Sequence, residues 1–471
     1  MTLTLIDVLP DDVLLAIFDF CVTGVRNHDT KREIESWQLL VHVCGRWRSL
    51  VFGSPRRLNL RLYCTLKTPA KDTLDVWPAL PLIINGITAL SGTNTDNVIA
   101  ALGQSNRVHE VSFSCLVDWQ LEKVLAPMQV SFPELRGLRL SSPDETPSVI
   151  PDSFLGGSAP RLRSFSLNSI PFPGLPKLLL SATHLIYLNL TNVPHSGYIS
   201  PKVMVALLSA SSSLKSFQLR FRSPQSSPDW ESRSLPPPKR SILPALDEFR
   251  FKGVTEYLEE LVTGIDTPQL NQMRITFFNQ IDFDCPRLTQ FINSTPTLRT
   301  VDEAHVQFNR WTASIRLRYR SSKINFGDLR IDISCEEPDW QFSSIEQVCN
   351  SSLHPLSTVE DLYMDRRYSE LVWKDDNIEN TLWLEFLLPF TTVKDLYLSR
   401  EFAPGIATAL QEPVGGRITE VLPSLQNIFV EGLEPSELFQ TNIGQFVAAR
   451  KLSNHPITIS VWDKGSDLEL R

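Results

Sequence analysis

The chain lacks the cysteine pairs that zinc ribbons and redox enzymes need. Its seven cysteines (Cys21, Cys44, Cys64, Cys115, Cys285, Cys335 and Cys349) are odd in number, and no two stand at C-x-x-C spacing. They read as small buried hydrophobes of a reducing compartment. Long apolar runs are missing too: the longest near the N-terminus covers residues 13–18, against the roughly 20 residues of a membrane-spanning helix. The opening "MTLTLIDVLP" has no positive charge, and Asp7, Asp11 and Asp12 interrupt any apolar leader core, so no secretory signal is expected. Excess positive charge is absent as well. A net charge of −8 and an isoelectric point near 5.6 leave no general basic footprint for nucleic acid. The expected setting is intracellular, cytoplasmic or nuclear or both, where the sequons at Asn189, Asn293 and Asn350 stay unmodified.

Catalytic signatures are missing in the same way. There is no H-E-x-x-H, P-loop, G-x-S-x-G or G-x-G-x-x-G. The eight histidines show no ligand spacing: His184 and His195 flank one predicted strand, and His305 stands alone. No metal, no cofactor and no bond chemistry is expected. An enzyme would require scattered carboxylates to meet in space.

What is present is a 471-residue chain with 42% hydrophobic and 21% charged residues, enough for a large packed core. Its first helix is written in "LPDDVLLAIFDF", residues 9–20. Pro10 suits a first turn, Asp11 and Asp12 complement the positive end of the helix dipole, and Val13, Leu14, Ile17, Phe18 and Cys21 form one apolar stripe. A polar stretch follows, in which Thr30 and Glu33 have capping-box spacing. A second predicted helix carries Trp37, Leu40, Val41, Cys44, Trp47 and Val51 on one face and stops at Gly53 and Pro55. Gly45 inside that helix weakens it by about 1 kcal/mol relative to Ala.

These residues resemble an F-box: Leu9-Pro10, then Ile17-Phe18, then Val43-Cys44-x-x-Trp47-Arg48, together covering about a tenth of the chain. The resemblance implies a small α-helical domain over residues 1–56. It would dock the Skp-type adaptor of a cullin–RING ubiquitin ligase through Leu9, Pro10, Val13, Leu14, Ile17, Phe18, Cys44 and Trp47. The alternative reading is a helical cap on whatever follows.

From residue 108 the pattern apolar-x-x-apolar-x-apolar recurs twelve times, beginning with "VHEVSF" (108), "LRGLRL" (135) and "LRSFSL" (162). Later units include "LDEFRF" (246), "LNQMRI" (270), "LRTVDE" (298), "FGDLRI" (326), "VEDLYM" (359), "VKDLYL" (393) and "LQNIFV" (425), at intervals of 23 to 34 residues. The repeats resemble leucine-rich repeats, each giving a short strand and a returning helix or loop, though the asparagine usual after the strand is absent. The expected fold is an irregular α/β solenoid over residues 57–471, its parallel strands lining the inner face. "LNLRL" (58–62) and "LPLII" (80–84) begin it, "ITISVW" (457–462) closes it, and a Pro/Ser-rich loop at 223–241 projects from it.

Residues between the apolar positions face away from the core by the period-2 rule. Ser164, Ser166, Asn168, Tyr187, Asn189 and Thr191 are neutral. Arg220, Arg250, Lys252 and Arg274 make the middle basic, with Glu248 among them. Asp328, Asp332, Asp361, Asp365, Asp395 and Glu431, with Tyr363 and Tyr397, make the late part acidic. Tyr363, Tyr397, Asp361, Asp365 and Asp395 are therefore the candidate readers of a basic segment on a target protein. The whole reads as the substrate-recognition subunit of an SCF-type ligase. The alternatives are a non-catalytic interaction scaffold and, further off, a hydrolase with its site on an inter-strand loop.

Overall fold

The computed structural model describes residues 8–23, 36–65, 74–75, 77–86, 92–145, 147–224, 240–280, 283–299, 301–319, 327–366, 380–411, 421–432, 442–452 and 454–462. The capping-box pair Thr30 and Glu33, and the Pro/Ser-rich loop over 225–239, lie outside them. The chain forms two compact units, Met1–Tyr198 and Ile199–Arg471.

The first unit opens with helix α1, Asp11–Thr23, whose first turn holds Asp11 and Asp12. The amides of Val13 and Leu14 both donate to the Pro10 carbonyl at 3.1 Å. The long second helix expected over 37–51 is instead two helices, α2 (Ser36–Val41) and α3 (Gly45–Gly53). Cys44 is extended and caps α3, so Gly45 stands at a helix start, where it does not carry the cost of an interior glycine. Arg48 Nε donates to the Val41 carbonyl at 3.0 Å, satisfying the end of α2. These helices do not separate as a compact unit of their own; they belong with the six strands that follow.

Those strands are β1 (Leu62–Thr65), β2 (Leu82–Gly86), β3 (Val108–Phe113), β4 (Gly137–Ser141), β5 (Ser164–Asn168) and β6 (Tyr187–Val193), paired in sequence order and all parallel. The expected strand at 58–62 begins later. Residues 55–59 form turns, which leave Leu58 and Leu60 buried ahead of β1.

In the second unit, β7 (Ser216–Phe221), β8 (Glu248–Gly253) and β9 (Gln272–Phe278) continue the parallel pattern, with α4 (Pro201–Ser209) and α5 (Thr255–Thr263) beside them. Both helices are of the returning kind expected between the repeated strands. The expected strand at 298 is instead the one-turn helix Pro296–Arg299. Next come β10 (Glu303–Phe308), β11 (Thr312–Arg318) and β12 (Asp328–Ser334), which enter the sheet in reverse order. β9 pairs in parallel with β12, β12 antiparallel with β11, and β11 antiparallel with β10. β10 then pairs in parallel with β13 (Asp361–Arg366), followed by β14 (Asp395–Leu398), β15 (Asn427–Glu431) and β16 (Thr458–Trp462).

Asn309 closes the first turn of the reversed segment. Its Oδ1 accepts from the amides of Trp311 (2.8 Å) and Thr312 (3.0 Å), and its Nδ2 donates to Thr312 Oγ1 at 2.7 Å, closing a tight hairpin. Alternation in "EAHVQF" and "TASIRLR" is the sequence trace of that hairpin, whose two strands fall outside the roughly thirty-residue spacing of the others. Apolar residues of these strands point to one side and meet aromatic rings from the intervening helices. Phe308 stacks on Phe342, which packs edge-on against Trp383, and Phe402 fills the space beside both Phe308 and Trp383.

Gly327 precedes β12 at φ +70, and a Cβ there would overlap the Thr297 carbonyl oxygen. Gly327→Ala is expected to cost at least about 1–2 kcal/mol from the left-handed backbone alone, with the overlap adding to it. The urea unfolding midpoint measures this.

Candidate interaction surfaces

The N-terminal helices have two unlike sides. On the inner side Leu14, Phe18, Trp37, Val41 and Val51 are buried. Phe18 packs against Trp47 with ring centroids 4.7 Å apart, and Trp37 meets Trp77 edge-on at 5.3 Å while its Nε1 donates to the Arg61 carbonyl at 3.0 Å. Arg46 ties the start of α1 to α3: its Nη2 donates to the Leu9 carbonyl and to Asp11 Oδ1, both at 2.6 Å.

The outer side is apolar and uncovered among the described residues. Val13 and Ile17 are each 43% exposed and Phe20 is 77% exposed, with Val8, Leu39 and Val43 also open. Of the residues predicted to bind an adaptor, Pro10, Val13, Ile17 and Cys44 are exposed and Leu9 and Trp47 are half-buried. Leu14 and Phe18 face inward, so their place is in the core of the unit. Phe20, Leu39 and Val43 belong to the exposed face in their stead. Phe20 and Leu39 were overlooked because neither lies on the apolar stripe that marked its helix.

The second surface is the face of the second unit's sheet that carries its polar and ring-bearing positions, where in-register pairing lines up like positions on successive strands. His305, Tyr363, Tyr397 and Phe429 share one row on β10, β13, β14 and β15. Their rings stack at centroid distances of 4.4, 4.1 and 4.6 Å, with interplanar angles of 10° or less. Trp462 from β16 leans on the ladder, 5.9 Å from Tyr363 and 5.6 Å from Tyr397. Burial pushes the Tyr397 hydroxyl pKa up, and the neighbouring Tyr363, Asp361 and Asp395 add to the shift.

The same ladder corrects the site expected here. Tyr363 is only 1% exposed, and Asp361 and Asp365 are buried as well. Tyr397 and Asp395 are half-buried and remain within reach of a partner. Part of the acidic character expected of the late face, that of Asp328 and Asp332, is neutralised by cations from β11 and β12. Arg316 grips Asp328 with two bonds (2.6 and 3.2 Å), Arg318 grips Glu303 likewise (2.7 and 3.1 Å), and Arg330 Nε donates to Asp332 at 2.8 Å. β11 was not anticipated, so neither were Arg316 and Arg318. The repetition of Tyr, Tyr and Phe in "DLYM", "DLYL" and "NIFV" was a legible sign that Phe429 joins the row.

Glu303 is the most constrained carboxylate of this face. Its side chain is 2% exposed, between Arg318 and His305, whose Nε2 lies 3.0 Å from Oε1. Burial by itself would raise its pKa, but the bonds from His305 and Arg318 outweigh that and hold it far below the usual carboxylate range.

The thiols differ in exposure, with Cys21 half-buried. Cys64, Cys285, Cys335 and Cys349 are buried, whereas Cys44 and Cys115 are exposed. Burial pushes the Cys64 thiol up to about 11, despite the opposing charge of Arg107, so it stays protonated at neutral pH. Among the described residues no group of His, Cys, Asp and Glu is arranged to hold a metal ion, and no helix is long and apolar enough to cross a membrane.

No family model matches the chain, and no curated protein matches it either. Among solved structures it is similar to the leucine-rich repeat-containing protein LegL7 from Legionella pneumophila. That match has 13% identity and a TM-score of 0.27, and covers 84% of this chain and 98% of the other.

Because folding lowers the pKa of Glu303 from its ordinary 4.5, its contribution to stability is complete above that value and is lost as pH falls below it. Glu303→Gln is expected to cost about 3 kcal/mol at neutral pH, the low end for a broken buried pair, because Arg318 keeps part of its hydration. The variant should also lose stability less steeply than the parent between pH 5 and 3, which urea midpoints across that range measure.

Proposed function

We propose that this protein is the substrate-recognition subunit of an SCF-type ubiquitin ligase. Its N-terminal helices dock a Skp-type adaptor, and its repeat array holds the target. The observation that carries this reading is the outer side of those helices. A three-helix segment that only capped the strands would need one apolar side, and the inner side meets that need through Leu14, Phe18, Trp37, Val41 and Val51. The second apolar side, formed by Pro10, Val13, Ile17, Phe20, Leu39, Val43 and Cys44, is of the kind that marks a protein interface. The F-box-like order of Leu9-Pro10, Ile17-Phe18 and Val43-Cys44-x-x-Trp47 gives that partner its identity.

Target binding falls to the face of the second unit's sheet that carries the ring ladder. Tyr397 and Asp395 are the half-buried members of the predicted reader set there, and Asp361, Tyr363 and Asp365 lie on the neighbouring strand β13, with Tyr363 stacked against Tyr397. The second reading, a non-catalytic scaffold whose helices only cap the repeats, draws on the inner side alone and assigns no role to the outer one.

Co-purification of the full chain with the adaptor separates the two readings. Ile17→Asp with Phe20→Asp should reduce adaptor recovery more than tenfold and leave thermal stability nearly unchanged, since exposed sites cost little in the free chain (about 0.5 kcal/mol or less). Adaptor recovery that survives the double change, or that is absent with the parent chain, refutes the docking role.

A further inference from the structure

The repeat array ends on a strand that carries none of the devices by which a sheet edge is protected. β16 (Thr458–Trp462) pairs with β15 and is the last strand in the order of the sheet. Its sequence, Thr-Ile-Ser-Val-Trp, has no charge, proline or glycine, whereas natural edges are kept from pairing by lysine, proline or a bulge. The amide of Thr458 donates inward, to the Gln426 carbonyl. Backbone groups of alternate residues point to opposite edges of a strand, so those of Ile459 and Val461 point outward. The side chains of these two residues stand on the side of the buried Ile428 and Val430, their register partners on β15. Yet Val461 is 44% exposed and Ile459 half-buried. Leu452, at the end of the helix Asn442–Leu452, is 90% exposed. The apolar core of the second unit thus runs out at this end without a polar cap among the described residues.

We infer that β16 pairs antiparallel with β16 of a second copy of this chain, about a two-fold axis at Ser460. The strand is complementary to itself. With Ser460 opposite Ser460, Ile459 of one copy stands opposite Val461 of the other. These are the residues whose backbone groups point outward, so each of the two opposed pairs exchanges both its N–H···O bonds. The axis is perpendicular to the sheet, which places the aliphatic side chains of both copies on the same side, where they extend one core into the next. No like charges meet, because the strand has none. A head-to-tail contact with β1 of another copy fits less well: Trp37 Nε1 already takes the Arg61 carbonyl beside that strand, and such a contact does not close. The inference goes beyond the ligase reading and is independent of adaptor docking.

The test is sedimentation equilibrium of the full chain over about 1–100 μM. A reversible monomer–dimer equilibrium is expected within that range, because five residues from each copy cover less than the roughly 1,600 Å² of a standard interface. Val461→Pro removes one outward N–H and spares the bonds to β15. It should raise the dissociation constant at least tenfold at nearly the parent's melting temperature. Should that variant fail to fold, Val461→Lys must weaken the dimer as much. Ile17→Asp with Phe20→Asp should dimerise like the parent, which separates this edge from the exposed face of the N-terminal helices. Ser460→Cys, in a chain whose exposed Cys44 and Cys115 are changed to serine, should form a disulfide-linked dimer in air, since directly opposed, non-hydrogen-bonded positions lie about 4.5 Å apart. Thr458→Cys in the same background should not, because its two copies would stand about 13 Å apart. A monomer throughout the range, a dimer indifferent to the Val461 variants, a dimer lost with the helix variant, or cross-linking at Thr458 in place of Ser460 overturns the inference. Adaptor recovery with Val461→Pro should match the parent's, so a failure of docking and a failure of strand pairing register separately.

Discussion

In-register parallel pairing is the constraint from which most of the second unit follows. When one strand is laid beside the next at a fixed spacing with its positions aligned, like residues are brought within van der Waals distance of like. The outcome then depends on what is repeated. Leucine and phenylalanine on the covered side give a continuous core. Tyrosine and phenylalanine on the open side give a stack of nearly parallel rings from His305 to Phe429. Arginine and lysine give a concentration of charge that no isolated hairpin would tolerate. The sheet spreads no residue type evenly, and its surface chemistry arrives in blocks.

Acidic residues show how that charge is managed. Asp328, Glu303 and Asp332 each face an arginine one strand or two residues away, and the ion pairs knit β10, β11 and β12 into one network. Glu303 sits deepest. Water reaches it hardly at all, so its ionised form depends on Arg318 and His305. The ion pairs end at β12; on the adjoining strand β9, Arg274 lies among Arg250 and Arg330 on one hand and the charges of Asp328 and Asp332 on the other.

Much of this was legible in the residues. The spacing of apolar triplets located most of the strands, since a residue that must be buried every second position leaves a plain trace. The basic middle was legible too, because exposed positions between buried ones are fixed once the strand is known. The register reversal was not. Asn309 closes a hairpin through three side-chain bonds, and an asparagine in a polar connection looks the same whether or not it turns the chain. With β11 missed, Arg316 and Arg318 were missed, and the late face looked more acidic than it is. Burial of Tyr363 was hidden for a related reason: the ring that leans on it comes from Trp462, about a hundred residues on, and alternation along one strand says nothing of what lies above it. In the N-terminal helices the stripe of Val13, Leu14, Ile17 and Phe18 was read as one face. A helix turns by about 100° per residue, so the pair Val13 and Ile17 and the pair Leu14 and Phe18 stand on adjoining sides, one exposed and one buried.

The reversed segment bears on how the second unit comes to be assembled. Every parallel pair in it joins positions separated by twenty or more residues, and closing such loops carries a large entropic cost before any contact rewards it. β10 and β11 are joined across three residues and meet at the lowest cost of any pair there. Strand β12 adds to β11 across a short connection as well, and the finished meander presents one free edge toward β9 and the other toward β13. A nucleus in the interior of the array, open on both flanks, lets growth proceed toward both termini at once. A repeat array built only of parallel strands has no such starting point.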